Sequence, residues 1–191
     1  MKKFAALASA LVALVALVAI ATAAASPPDE LQAVKAATAR YHSFEQAQAA
    51  GYTIAGEPCV AAPGLGAMGI HAVNPSLAAD PAIDATQPEI LLYLPKANGQ
   101  LELIGVEYFK VALANTASGP APWFGVPGDP EAPPPLGFFT PTPSVFGQSF
   151  DGPMPGHNPS MPWHYDLHVW LWADNPSGLF APFNPSLSCP S

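Results

Sequence analysis

Proline decides how this chain can be built. There are 25 prolines in 191 residues, and thirteen of them fall between Pro120 and Pro162. Proline lacks a backbone N–H and fixes φ near −65°, so it ends helices and is kept out of central strands. Almost no regular structure is expected in that stretch. Four Asn-Pro pairs, beginning at Asn74, Asn158, Asn175 and Asn184, punctuate the chain, because Asn starts turns and Pro cannot continue a central strand.

Helical periodicity survives only ahead of Gly51. Between Asp29 and Tyr41, the residues Leu31, Val34, Ala37 and Tyr41 recur at three- and four-residue spacing with no Gly or Pro among them, which predicts a helix. Ser43-Phe44-Glu45-Gln46 has capping-box form, so a second short helix follows and stops at Gly51, a residue that tolerates a left-handed cap. Beyond it the runs are β-like: Met68 to Asn74, Ile90 to Leu94, Leu101 to Phe109 and Trp163 to Trp172. Asn98-Gly99 between two of these runs is a hairpin signal. The Pro-rich stretch holds Trp123, Phe124, Phe138, Phe139, Phe146 and Phe150, a composition unlike that of a disordered linker. It reads as ordered coverage of a β core. The fold class expected is α+β: two short N-terminal helices on an antiparallel β-sheet or partial barrel, with a long Pro-rich loop around it.

The first residues carry an address. Lys2 and Lys3 precede an apolar run from Phe4 to Ala21, followed by Ala23-Ala24-Ala25 and Ser26-Pro27-Pro28, the order of a signal peptide with its small-residue cleavage site. The reading is residues 1–25 as signal peptide and 26–191 as a single secreted α+β domain, with no integral membrane segment after cleavage. The alternative is retention of the run as an anchor, since it approaches the roughly 20 residues that span a bilayer. Export favours oxidised thiols, so the only cysteines, Cys59 and Cys189, are expected to form a disulfide.

Without Lys2 and Lys3, four basic residues (Lys35, Arg40, Lys96, Lys110) face fourteen acids, a net charge of −10. An acidic surface of that size repels phosphate backbones and argues against nucleic acid as a partner. A small-molecule or metal ligand is compatible with it.

The last β-run holds the chemistry. In an extended chain successive side chains alternate faces. One face of it then presents Trp163, Tyr165, Leu167, Val169 and Leu171, and the other His164, Asp166, His168, Trp170 and Trp172. Residues two apart lie about 6–7 Å apart and four apart about 13 Å. His164 and His168 therefore cannot share one ion on a straight strand; either Asp166 pairs with one of them or a bulge brings both in. His71 follows the Gly64-Leu65-Gly66 turn, and Glu107 is a carboxylate inside the apolar Gly105-Val106-Glu107-Tyr108-Phe109 run. A buried carboxylate is costly unless it is paired or bound to a cation. The candidate metal ligands are thus His71, Glu107, His164 and His168, with Asp166 as a substitute ligand or as an acceptor orienting a histidine. Imidazole and carboxylate suit a divalent transition metal: zinc, iron, manganese or copper. His157 lies on a loop as a further ligand, and His42, at a helix junction, reads as structural.

Other chemistries are weaker. The sequence has no Gly-x-Ser-x-Gly elbow, no phosphate-binding Gly-Lys-Ser/Thr loop and no dinucleotide fingerprint. Two alternatives to the metal site stand beside it: a non-metal structural or interaction module, and a carbohydrate-active protein using Glu107 and Asp166 with Trp170 and Trp172 stacking on sugar. The residues name no reaction.

The segments Tyr41-His42-Ser43-Phe44-Glu45, Met68-Gly69-Ile70-His71-Ala72-Val73-Asn74-Pro75, Gly105-Val106-Glu107-Tyr108-Phe109 and His164-Tyr165-Asp166-Leu167-His168-Val169-Trp170-Leu171-Trp172 resemble, in this order, those of a group of uncharacterised secreted bacterial proteins. The resemblance covers most of the chain after residue 25 and implies export and a shared fold, and it carries no mechanism. The ligand types match those of three-histidine, one-glutamate cupin sites, but the His-x-His pair of a cupin is absent.

Overall fold

The computed structural model describes residues 27–54, 58–157 and 160–190; the signal-peptide reading of residues 1–25 lies outside them. Helix α1 (Pro27–Thr38) continues into a 3-10 turn at Ala39–His42, and α2 (Phe44–Ala49) follows. Ser43 caps α2 by accepting from the Gln46 amide, and Gly51 takes the left-handed φ of 94° expected after its end. The strands are β1 (Thr53–Ile54), β2 (Val60–Ala62), β3 (Gly66–Val73), β4 (Ile90–Pro95), β5 (Leu101–Val111), β6 (Leu113–Ala114), β7 (Ala121–Pro122), β8 (Ser144–Val145), β9 (Gln148–Ser149), β10 (Asp151–Met154) and β11 (His164–Val169). The one-turn helix α3 (Pro75–Ala78) starts at an Asn-Pro pair, where Asn74 Oδ1 accepts from the amides of Ser76 and Leu77.

Seven strands form one antiparallel sheet in the order β1-β3-β4-β5-β11-β10, with β2 also paired to β3. The sheet is open rather than a partial barrel. The predicted hairpin joins β4 to β5, with Gly99 at φ 81° and its amide donating to the Lys96 carbonyl.

One irregularity sets the faces of β5. Alternation alone groups Leu103 with Gly105 and Glu107. The pairing with β4 instead skips a residue, Leu92 facing Gly105 and Tyr93 facing Leu103, a bulge that shifts the phase of the strand. Leu103 therefore packs with Val106 and Tyr108, while Ile104 joins the opposite cluster. Gly105 leaves no room for a side chain beside the end of β11: a Cβ there would lie 2.7 Å from the Val169 carbonyl oxygen.

Both faces of the sheet are covered. On one, Leu91, Tyr93, Val106, Tyr108, Tyr165, Leu167 and Val169 pack against Val34, Tyr41 and Ala47 from the helical segment and against Phe146 and Phe150 from the Pro-rich stretch. On the other, Ile90, Leu92, Ile104, Phe109 and Trp170 form a smaller cluster. The Pro-rich stretch is tied down by hydrogen bonds as well as by packing: the Trp163 amide donates to the Trp123 carbonyl, and the Trp163 indole to Pro130. Cys59 and Cys189 form the expected disulfide across 130 residues of chain, which in the chain-entropy account contributes on the order of 5 kcal/mol. Among the described residues no helix is long and apolar enough to cross a membrane.

Candidate metal centre

The smaller face carries the polar residues singled out in the sequence. Directly opposed residues of an antiparallel pair point to the same side. Glu107 on β5 is opposite His168 on β11 and opposite Ile90 on β4, and His71 on β3 is opposite Leu92. His168 therefore approaches Glu107 from the adjacent strand, and His71 reaches it across β4. Glu107 Oε2 lies 3.2 Å from His71 Nε2 and 3.6 Å from His168 Nε2. One ligand atom from each of His71, Glu107 and His168 falls within 4.8 Å of the others, and all three residues are buried.

His164 and Asp166 lie further along β11 and make a separate pair, with His164 Nε2 3.8 Å from Asp166 Oδ2. No bulge interrupts β11 against β5 between residues 164 and 169. The two histidines four residues apart are accordingly divided: His168 joins Glu107, and Asp166 is the neighbour of His164. The His164 ring stacks on Phe109 and its Nδ1 lies 3.1 Å from the Pro162 carbonyl, while His157 meets it edge-on at 5.7 Å between centroids. His42 packs against Trp172, away from the group.

The polar atoms of this face are poorly served by the protein. Neither ring nitrogen of His168 has a hydrogen-bond partner among the described residues, nor have His164 Nε2 and Asp166 Oδ1, and Glu107 Oε2 has only the two imidazoles beside it. Buried polar groups are nearly always hydrogen-bonded, and one left without a partner costs about 1–3 kcal/mol. Several on one face imply a ligand that the chain does not itself supply.

Burial also sets the protonation. It depresses His168 to about 4 against the opposing pull of the Glu107 carboxylate, so the ring is neutral with a free lone pair at neutral pH. Burial would raise Glu107, but its attraction for a proton on the His168 and His71 rings outweighs that and holds the carboxyl below the usual carboxylate range, ionised. Asp166 is pushed up to about 8 by burial and then by the charges of Glu107 and Asp151, and it is the carboxylic acid at neutral pH. Burial lowers His164, only partly offset by the Pro162 carbonyl. An ionised carboxylate at Glu107 and a neutral imidazole at His168 are the protonation states in which these groups ligate metals.

A cavity of about 520 Å³ opens on this group, with His71 and Glu107 in its wall. The remainder of the lining is mainly apolar, from β3, β4, β5, α3 and the segment at Met161-Pro162.

The two aromatic residues beyond β11 part company. Trp170 lies in the smaller cluster, whereas Trp172 packs on the helical side of the sheet, because the strand ends at Val169 and the chain turns, the Leu171 amide donating back to the Val169 carbonyl. The two tryptophans thus form no common platform on one wall. Sequence reasoning also missed buried Glu89, which accepts from the Phe109 amide, and buried Lys110, whose ammonium donates to the carbonyls of Asp80 and Ala82. Both stand next to strong β-runs, where a charge is a sign of burial with a partner. Comparison with family models, with curated proteins and with solved structures finds no match.

Proposed function

We propose that the protein binds a single divalent transition metal through His71, Glu107 and His168, and that it does so outside the cytoplasm as a single secreted domain, residues 26–191. The observation that carries the metal reading is the convergence of two imidazoles and one carboxylate within 4.8 Å in a buried group, with His168 lacking any hydrogen bond to satisfy its ring nitrogens. Two histidines and one carboxylate form the donor set of open zinc and non-haem iron sites, whereas structural zinc sites close with four protein ligands. Three ligands and an adjoining cavity favour a centre that keeps coordination positions for water or a bound molecule. His164 and Asp166 lie beside that centre as supporting groups rather than as ligands of the same ion.

Metal analysis of untagged protein tests this reading. Close to one equivalent of zinc, iron, manganese or copper is expected, with at least a hundredfold loss of affinity in Glu107→Gln, a variant that keeps the side-chain shape. Protein without stoichiometric metal, and with a thermal midpoint unmoved by adding any of the four, would overturn it.

A further inference from the structure

The cavity beside the three ligands has a chemistry of its own. Its volume, about 520 Å³, falls within the roughly 300–1,000 Å³ of small-molecule sites. Val73, Ile90, Phe109, Val111, Met161 and Pro162 supply much of its wall, and no lysine or arginine among the described residues lines it. Such a wall offers nothing to a phosphate or to a second carboxylate, since an unpaired charge in an apolar pocket loses its hydration without return. Among the described residues the polar edge consists of His71 and Glu107, with His157 and Ser160 on the loop side. Shape and polarity therefore ask for a molecule that is apolar along its body and polar at its tip.

We infer that this cavity is the binding site for a small, largely apolar molecule that ends in one oxygen donor, of the phenol class, with the donor completing the coordination of a metal held by His71, Glu107 and His168. The inference rests on the metal reading above and adds to it the class of ligand. Phe109 provides an aromatic wall, itself stacked on His164 at 5.0 Å between centroids, and offset or edge-on contact with such a ring favours a planar aromatic guest. Ala78, the last residue of α3, and Ala79 after it also line the cavity. Their small side chains leave room at the wall, and a larger residue there would fill that space from α3 and not from a strand that carries a ligand of the metal.

The test uses the full protein loaded with cobalt(II), whose visible spectrum reports its own coordination. Addition of 4-methylphenol is expected to shift that spectrum saturably, whereas inorganic phosphate at the same concentration leaves it unchanged. Ala78→Phe, or Ala79→Phe at the exposed neighbouring position should the first variant not fold, is expected to weaken the phenol titration about tenfold or more while one equivalent of cobalt is retained. Cobalt bound stoichiometrically with a spectrum that 4-methylphenol does not move overturns the cavity assignment and leaves the metal centre standing. Equal competition by phosphate, or a phenol titration that neither alanine variant weakens, overturns the cavity assignment in the same way. Failure to bind cobalt at all overturns both.

Discussion

The two faces of one sheet treat buried polar groups in opposite ways. On the helical side five tyrosines are buried, and every hydroxyl is hydrogen-bonded within the protein: Tyr52 donates to the carbonyl of Pro88, Tyr93 to that of Tyr41, Tyr108 to that of Ala85 and Tyr165 to that of Thr140, while Tyr41 accepts from the Arg40 guanidinium. On the other side His168, Glu107 and Asp166 are as deeply buried, yet polar atoms of all three lack such partners. The strands are the same, and successive residues of β11 belong to one side and then the other. A polar group closed off by carbonyls contributes to folding and is finished. One left unsatisfied in a dry interior costs stability and is retained where something else binds to it. The helical face is thus the part of the molecule that holds the fold, and the smaller face the part that the fold holds in place.

Adjacent residues of β11 offer the sharpest way to break this contrast. Leu167→Ala on the packed face is expected to cost about 2–5 kcal/mol in chemical denaturation, the usual toll for a fully buried leucine. The double replacement Glu107→Leu with His168→Leu on the other face is expected to leave the metal-free protein as stable as before or more so, because apolar side chains replace a buried carboxylate and a ring whose nitrogens are unsatisfied. A loss comparable to that of Leu167→Ala would show that the polar face is also part of the core.

Glu89 gives a second and smaller effect. Burial pushes it up to about 7, only partly opposed by the Phe109 amide and by Lys110. A carboxyl raised in the folded state binds its proton more tightly there than in the unfolded chain, so its contribution is lost as pH rises from about 4.5 to about 7. Glu89→Gln keeps an acceptor for the Phe109 amide and removes the titration. It is expected to stabilise the protein by roughly 2 kcal/mol at pH 8 and by little at pH 4, as read from urea midpoints at the two values. A gain that is the same at both would place the cause elsewhere.

Smallest is the loss of one finished hydrogen bond. Tyr93→Phe removes the donor to the Tyr41 carbonyl and is expected to cost about 1 kcal/mol, with metal content unchanged. A change in metal content would mean that the two faces communicate through β4.

The parts of the molecule legible in the sequence are those fixed by local geometry. The period-two alternation of residues 164–169 assigns Tyr165, Leu167 and Val169 to one face and His164, Asp166 and His168 to the other, and the rise per residue separates the two histidines without reference to any partner. The Asn98-Gly99 turn and the Ser43 cap are equally local. What escapes depends on partners. Ile104 is the extra residue of a bulge, and nothing in its own neighbourhood announces the change of phase. His71 meets Glu107 only because β4 lies between β3 and β5, an order that emerges from the whole sheet. Trp172 is misplaced by a strand periodicity carried past Val169, where the strand ends.

The bridge between Cys59 and Cys189 turns most of this chain into a closed loop. Strands β2 to β11 all lie within the ring it makes, while α1, α2 and β1 stay outside. A peptidase that cut once among the exposed apolar side chains of Phe124, Val126, Leu136 and Phe139 would open the ring without dividing the molecule. The two sides of the cut would remain covalently one, and β5 and β11, which carry Glu107 and His168 on opposite sides of it, would keep their partner strand in reach until a reductant arrived. Damage to the loop and loss of the site are in this way made separate events.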